Sequence, residues 1–88
     1  MGFKIFLHPK AKKYLDDQDK AIKEKIKNKI KELKENPERD KRLKYTEFRK
    51  LRIGNYRVIY EIKSKEKKII ILFIGHRKNV YDDFSKMI

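Results

Sequence analysis

Basic side chains able to meet a phosphate are concentrated in one short stretch, KLRIGNYRVIY at residues 50–60. Gly54-Asn55 separates two alternating runs and reads as a two-residue hairpin turn, the Gly-first pattern of type II′. Such a turn fixes the register: Ile53 faces Tyr56, Arg52 faces Arg57, Leu51 faces Val58 and Lys50 faces Ile59. Opposed residues share a face of the sheet. One face then carries Leu51, Ile53, Tyr56, Val58, Tyr60 and Ile62, with Arg49 of the same parity expected toward the edge. The other carries Phe48, Lys50, Arg52, Arg57, Ile59 and Glu61. Setting Arg52 against Arg57 is destabilising unless something offsets the repulsion. A bound phosphate chain would neutralise it and gain the clustered donors; alternatively, the long arginines splay into solvent at little cost. Three cations on one face favour the phosphate, and the apolar side suits packing under helices. The cationic face is therefore predicted to be open.

A second basic group, GHRKNVY at residues 75–81, follows the last apolar run. His76 has the only unperturbed pKa near neutrality close to these cations. In an extended chain it points away from Arg77, so a structural role and an acid–base role both stand. Tyr81 can be a base, a stacking platform or a packing residue.

Other chemistries find little support. The 88 residues include no cysteine, which excludes disulfides, thiolate metal sites and Cys nucleophiles. His8 suits the start of a helix better than a metal site, and no metal or cofactor is expected. Asp82-Asp83 reads as a helix N-terminus rather than a general-acid pair. Other acids lie among lysines as i,i+4 partners, such as Lys20-Glu24 and Lys31-Glu35. There is no Gly-rich phosphate loop and no defensible Ser-His-Asp set. No apolar run is long enough to span a membrane, and the start lacks signal-peptide character, so a cytoplasmic protein is expected. Bases outnumber acids 26 to 13, a net charge of +13 with pI near 10.0. That excess favours polyanionic partners, nucleic acid above all.

The elements that must position these residues can be read in order. Residues 3–8 alternate as a short strand. Pro9 opens a helix over residues 9–18. Asp19 caps a second over residues 21–33, whose Ile22, Ile26, Ile30 and Leu33 fall at helical spacing; its Lys-rich outer face reads as a solvated surface. Asn36-Pro37 stops it. A polar connection leads to strands over residues 45–53 and 56–63, and SKEK makes a second turn. KIIILFIG, residues 68–75, is nearly all apolar and reads as a central strand covered on both faces. VYDDFSKMI at the end of the chain can form a short helix. The fold class is α+β, one domain over residues 1–88: two N-terminal helices on a mostly antiparallel sheet of about four strands, in the order β-α-α-β-β-β. The first strand is expected to run parallel to its neighbour.

LRIGNYRVIYEI followed by IIILFIGHRKNVY resembles the RelE/ParE superfamily of bacterial and archaeal toxins, the RelE branch in particular. The likeness extends to FLHPKAKKYL and the long second helix. It implies a microbial RNase-like fold and the toxin of a type II toxin–antitoxin system. The toxin would cut messenger RNA in the ribosomal A site, stopping translation, and be held inactive by a RelB-like antitoxin. A free monomer and a toxin–antitoxin heterotetramer are the implied states. Related enzymes need no metal and drive the ribose 2′-hydroxyl onto the adjacent phosphate. The resemblance implies that Arg57 binds the scissile phosphate, that Lys50 and Arg77 are further catalytic cations, with Arg77 near the leaving 5′-oxygen, and that Tyr81 acts in catalysis or stacks on a base. Arg49, Arg52, His76 and Lys78 would contact RNA. Two positions depart from the RelE pattern: Phe48 stands where RelE has a second lysine, and the spacing from Arg77 to Tyr81 is shorter. A non-catalytic inhibitor of DNA gyrase of the ParE type, or a plain nucleic-acid-binding domain, are the alternatives on the same fold.

Cleavage by an internal hydroxyl builds negative charge on the phosphoryl and leaving oxygens. Without a metal, fixed cations must meet it, each well-aimed donor contributing roughly 2.7–4 kcal/mol.

Overall fold

The computed structural model describes residues 3–38 and 47–87, with the backbone alone at residues 81–83 and 87. Four strands form one sheet: β1 (Lys4–Leu7), β2 (Arg49–Ile53), β3 (Tyr56–Lys63) and β4 (Lys68–His76), in spatial order β1-β4-β3-β2. Helices α1 (Pro9–Asp16) and α2 (Lys20–Glu32) separate the first two strands, and α3 (Val80–Met87) follows the last. β1 runs parallel to β4, as a crossover through a helix pair requires; the other pairings are antiparallel.

Local signals set these boundaries. His8 accepts a hydrogen bond at Nδ1 from the Lys10 amide (3.3 Å), so it is the N-cap of α1, with Pro9 in the first turn. Asp19 Oδ1 accepts from the Ile22 amide (3.1 Å) and caps α2. Gly54 has φ +54°, whereas Asn55 keeps a negative φ, which is the type II′ pattern. The hairpin register is the one the two-residue turn demands, from Ile53↔Tyr56 to Lys50↔Ile59. The SKEK turn is a single 3-10 turn over Ser64–Glu66. The strand expected from residue 45 begins at Arg49; residues 45 and 46 lie outside the described residues.

Ala11, Leu15, Ile26, Ile30 and Leu33 of the helical layer pack on Leu51, Ile53, Val58, Tyr60, Ile69, Ile71 and Ile74 of the sheet. Each fully buried Ile or Leu contributes roughly 1.5–3 kcal/mol. Tyr60 crosses this core and donates its hydroxyl proton to Pro37 O (2.9 Å), tying β3 to the chain after α2.

The opposite face is not open as expected. Ile59, Val80 and Phe84 form a second buried cluster, flanked by Phe48, Leu72 and Phe73. A bulge in the β3–β4 ladder explains the composition of β4: Ile59 pairs with Phe73, but Tyr60 pairs with Ile71. Leu72 is the extra residue, so Leu72 and Phe73 both serve the second face, while Ile71 and Ile74 serve the first. α3 seats Phe84 on this surface, edge-on to Phe48 (centroids 5.4 Å, 88°) and tilted against Phe73 (6.2 Å). A Cβ at Gly75 would stand 3.2 Å from the Phe73 ring edge and in ordinary contact with Val80 at 3.4 Å, so the glycine lies where α3 meets the strand. The face is covered because Phe48 and Ile59 beside the cations, with Leu72 and Phe73, make an apolar surface that α3 buries.

The ion pairs also differ from those expected. Among the described residues, Lys12 (2.9 Å) and Lys23 (3.1 Å) share Asp16, and Lys29 approaches Glu32 (3.8 Å). Lys20-Glu24 and Lys31-Glu35 form no such pair.

Candidate functional site

Three basic residues from three parts of the chain meet at the end of the β2–β3 hairpin, and a fourth, Lys50, lies further down β2. Arg52 pairs with Arg57 across it. Arg77, just past β4, donates its amide proton to Asn55 O (2.8 Å), so its backbone is fastened to the turn. Lys50 lies one position further down the same face as Arg52 and Arg57, opposite Ile59. Arg52 and Arg77 are exposed and Lys50 is half-buried. Among the described residues, no acidic side chain pairs with Arg52, Arg57 or Arg77.

Arg57 corrects the expectation of an open cationic surface, because it is only 7% exposed. Its Nη1 donates to Gly54 O and to Tyr56 O, both at 2.8 Å. The carbonyl dipoles of the turn thus hold a guanidinium that its cross-strand neighbour repels, and Arg52 is left to extend into solvent. Among the described residues no buried side-chain nitrogen lacks a partner, so the Arg57 nitrogens beyond Nη1 reach solvent. The result is a fixed guanidinium with an accessible edge, in a site of reduced dielectric where its field is stronger than in water.

The other candidates fall elsewhere. Arg49 has the opposite parity and donates from Nη1 to Glu38 O (3.3 Å), which ties β2 to the chain after α2. His76 pairs with Tyr56, on the other side of the sheet from Arg57, and their rings meet edge-on at 5.9 Å. Its Nδ1 accepts from the Lys78 amide (3.3 Å) in the turn leading to α3, which suits the tautomer protonated at Nε2. Lys78 is exposed in that turn. Tyr81 lies in the first turn of α3, and its side chain is outside the described residues.

The structure adds a residue that sequence reasoning missed. Lys25 reaches from α2 to the hairpin turn, its Nζ 3.2 Å from where a Cβ on Gly54 would stand. Nothing in the sequence singles Lys25 out among the lysines of α2, since its position depends on how the helix crosses the hairpin.

A family model described as the ParE toxin of type II toxin–antitoxin systems, parDE, matches residues 5–81. The chain belongs to this toxin family. Solved RelE structures share the toxin's fold. Escherichia coli RelE carrying two arginine-to-alanine substitutions, in the free state, superposes with TM-score 0.80 at 23% identity, covering 100% of this chain and 99% of that one. The archaeal RelE–RelB complex from Pyrococcus horikoshii matches with TM-score 0.75 at 28% identity, over 88% of this chain and 97% of that one. The RelBE2 toxin–antitoxin complex of Mycobacterium tuberculosis gives 0.79 at 22% identity, over 88% and 100%. No curated protein matches the toxin significantly. These matches unite the ParE and RelE names on one fold.

Proposed function

We propose that the toxin is a ribosome-dependent messenger-RNA endonuclease of the RelE type, acting in the cytoplasm. The carrying observation is the convergence of Arg52, Arg57 and Arg77 on the hairpin end with no acidic partner among the described residues. In the proposed reaction the ribose 2′-oxygen bonds to phosphorus as its proton passes to a base. The phosphorus–5′-oxygen bond breaks and the departing oxygen takes up a proton from an acid or from water, leaving a 2′,3′-cyclic phosphate and a 5′-hydroxyl. Arg57, braced by the turn carbonyls, meets the non-bridging oxygens. Arg77 meets the leaving oxygen, and Lys50 and Arg52 hold the chain. Tyr81 assists by proton transfer or stacking. In this reading His76 and Arg49 are structural, because their hydrogen bonds serve the fold on the far side of the sheet. Phe48 anchors α3 where RelE has a lysine, so the toxin works with one cation fewer.

The antitoxin is proposed to be RelB-like, supported by the RelE–RelB complexes among the structural relatives. The ParE name of the family model favours a second reading, inhibition of gyrase without cutting. Translating ribosomes carrying a reporter message separate the two. The endonuclease reading predicts cuts with 5′-hydroxyl ends, lost in Arg57→Ala and much reduced in Arg57→Lys. An intact message together with blocked DNA supercoiling contradicts it.

A further inference from the structure

We infer that Lys25 forms, with the hairpin turn, a second phosphate-binding point beside the cutting site, engaging the nucleotide next to the one cleaved. The inference rests on the RNA-cleaving reading above and concerns a residue outside the cationic set that the sequence marks.

The geometry is carried by one residue. Gly54 has its carbonyl bonded to Arg57 Nη1 at 2.8 Å, and its Cα side faces Lys25 Nζ, 3.2 Å from the position of a Cβ. Two cations from different layers therefore flank a single peptide, at most about 9 Å apart given standard backbone dimensions. The Arg77 backbone is fastened to the next residue, Asn55. The φ of +54° favours glycine here, and a Cβ would press on the Lys25 ammonium by a few tenths of an ångström. Lys25 makes no ion pair or hydrogen bond among the described residues, in contrast to Lys23 and Lys29 of the same helix, which reach Asp16 and Glu32. Gathering like charges around a turn without an acid is unfavourable in the free protein. A polyanion offsets it, and a span of up to about 9 Å between Lys25 and Arg57 leaves room for the phosphate next to the one that Arg57 holds. A flexible ammonium acts there as a point charge that holds the strand without taking part in the chemistry.

The test uses the full chain and a single-stranded RNA oligonucleotide with 2′-O-methyl riboses, which cannot be cleaved. Binding is followed by fluorescence anisotropy over a salt series. Lys25→Ala is expected to weaken binding about threefold and to lower the slope of log affinity against log salt by about 0.7, the loss of one phosphate contact on a single strand. Lys25→Glu should weaken it at least tenfold, and Lys25→Arg should restore it. Lys20→Ala is the control for general charge, because Lys20 lies about 140° away around the same helix; it should bind as wild type does. On ribosomes, Lys25→Ala should raise KM and leave kcat unchanged. If Lys25→Ala binds like wild type while Arg77→Ala is weakened, or if Lys20→Ala has the same effect as Lys25→Ala, the inference is wrong and the endonuclease reading stands. If wild type fails to bind the RNA and leaves messages intact, both fall together.

Discussion

At the scale of single residues, the hairpin end combines a turn that needs glycine with a braced cation. Gly54 adopts φ +54°, a conformation that costs an L-residue about 1–2 kcal/mol. Gly54→Ala should therefore lower stability by about 1 kcal/mol, read as a shift in the denaturation midpoint. The same substitution should impair cleavage more than that loss explains, because Gly54 O helps to fix Arg57. Arg57→Lys keeps the charge but loses the planar fork and its two hydrogen bonds to the Gly54 and Tyr56 carbonyls. It should cut 10²–10³-fold more slowly, in line with the removal of one well-aimed donor, while the folded state persists in circular dichroism. The pairing of Arg52 with Arg57 was legible from the turn alone, since two residues between strands leave one register. What could not be read was the direction Arg57 takes, folded back onto the carbonyls of residues one and three positions earlier, because only the assembled turn presents those acceptors.

At the scale of elements, α3 is the part that sequence patterning described least well. Its existence was legible in VYDDFSKMI, but not the face it would cover. The hairpin parity put Phe48 and Ile59 among cations, and the β4 bulge put Leu72 and Phe73 side by side on that face. The first follows from the hairpin's alternation; the second does not, because a bulge interrupts the period of two. By contrast α1 and α2 were set by local chemistry, Pro9, the Asp19 cap and Asn36-Pro37, which need no tertiary partner. Phe84→Ala should remove the anchor of α3 between Phe48 and Phe73 at a cost of about 3–5 kcal/mol. Amide exchange should then speed up over residues 80–87 while β3 and β4 stay protected. Equal acceleration throughout would mean that α3 unfolds only with the sheet. The contact between α1 and α2 has a pH signature. The Lys12 hydrogen bond, then that of Lys23, holds the Asp16 carboxyl below its usual range. A depressed folded pKa gives stability that is present above the ordinary aspartate pKa and is lost as pH falls through the lower folded value. Asp16→Asn should flatten that part of the acid-unfolding curve and leave the rest unchanged.

At the scale of the whole molecule, an excess of +13 surrounds a sheet whose two faces are covered by different helices. The excess alone locates nothing, because it is spread over both halves of the chain. The fold resolves it into lysines that answer acids, as Lys12 and Lys23 do, and a group at the hairpin end that answers none among the described residues. Attraction for RNA should accordingly fall steeply with ionic strength, while the cutting step in a bound complex should respond far less. The central claim is that guanidiniums at this end meet the charge of a breaking phosphodiester, Arg77 on the departing oxygen and Arg57 on the phosphoryl oxygens. The most direct measurement is single-turnover cleavage on ribosomes of a message whose scissile 5′-oxygen is replaced by sulfur, a leaving group that needs little help. The account predicts that Arg77→Ala is slow with oxygen and close to wild type with sulfur, whereas Arg57→Ala is slow with both. Equal rescue of the two variants, or none of either, would contradict it.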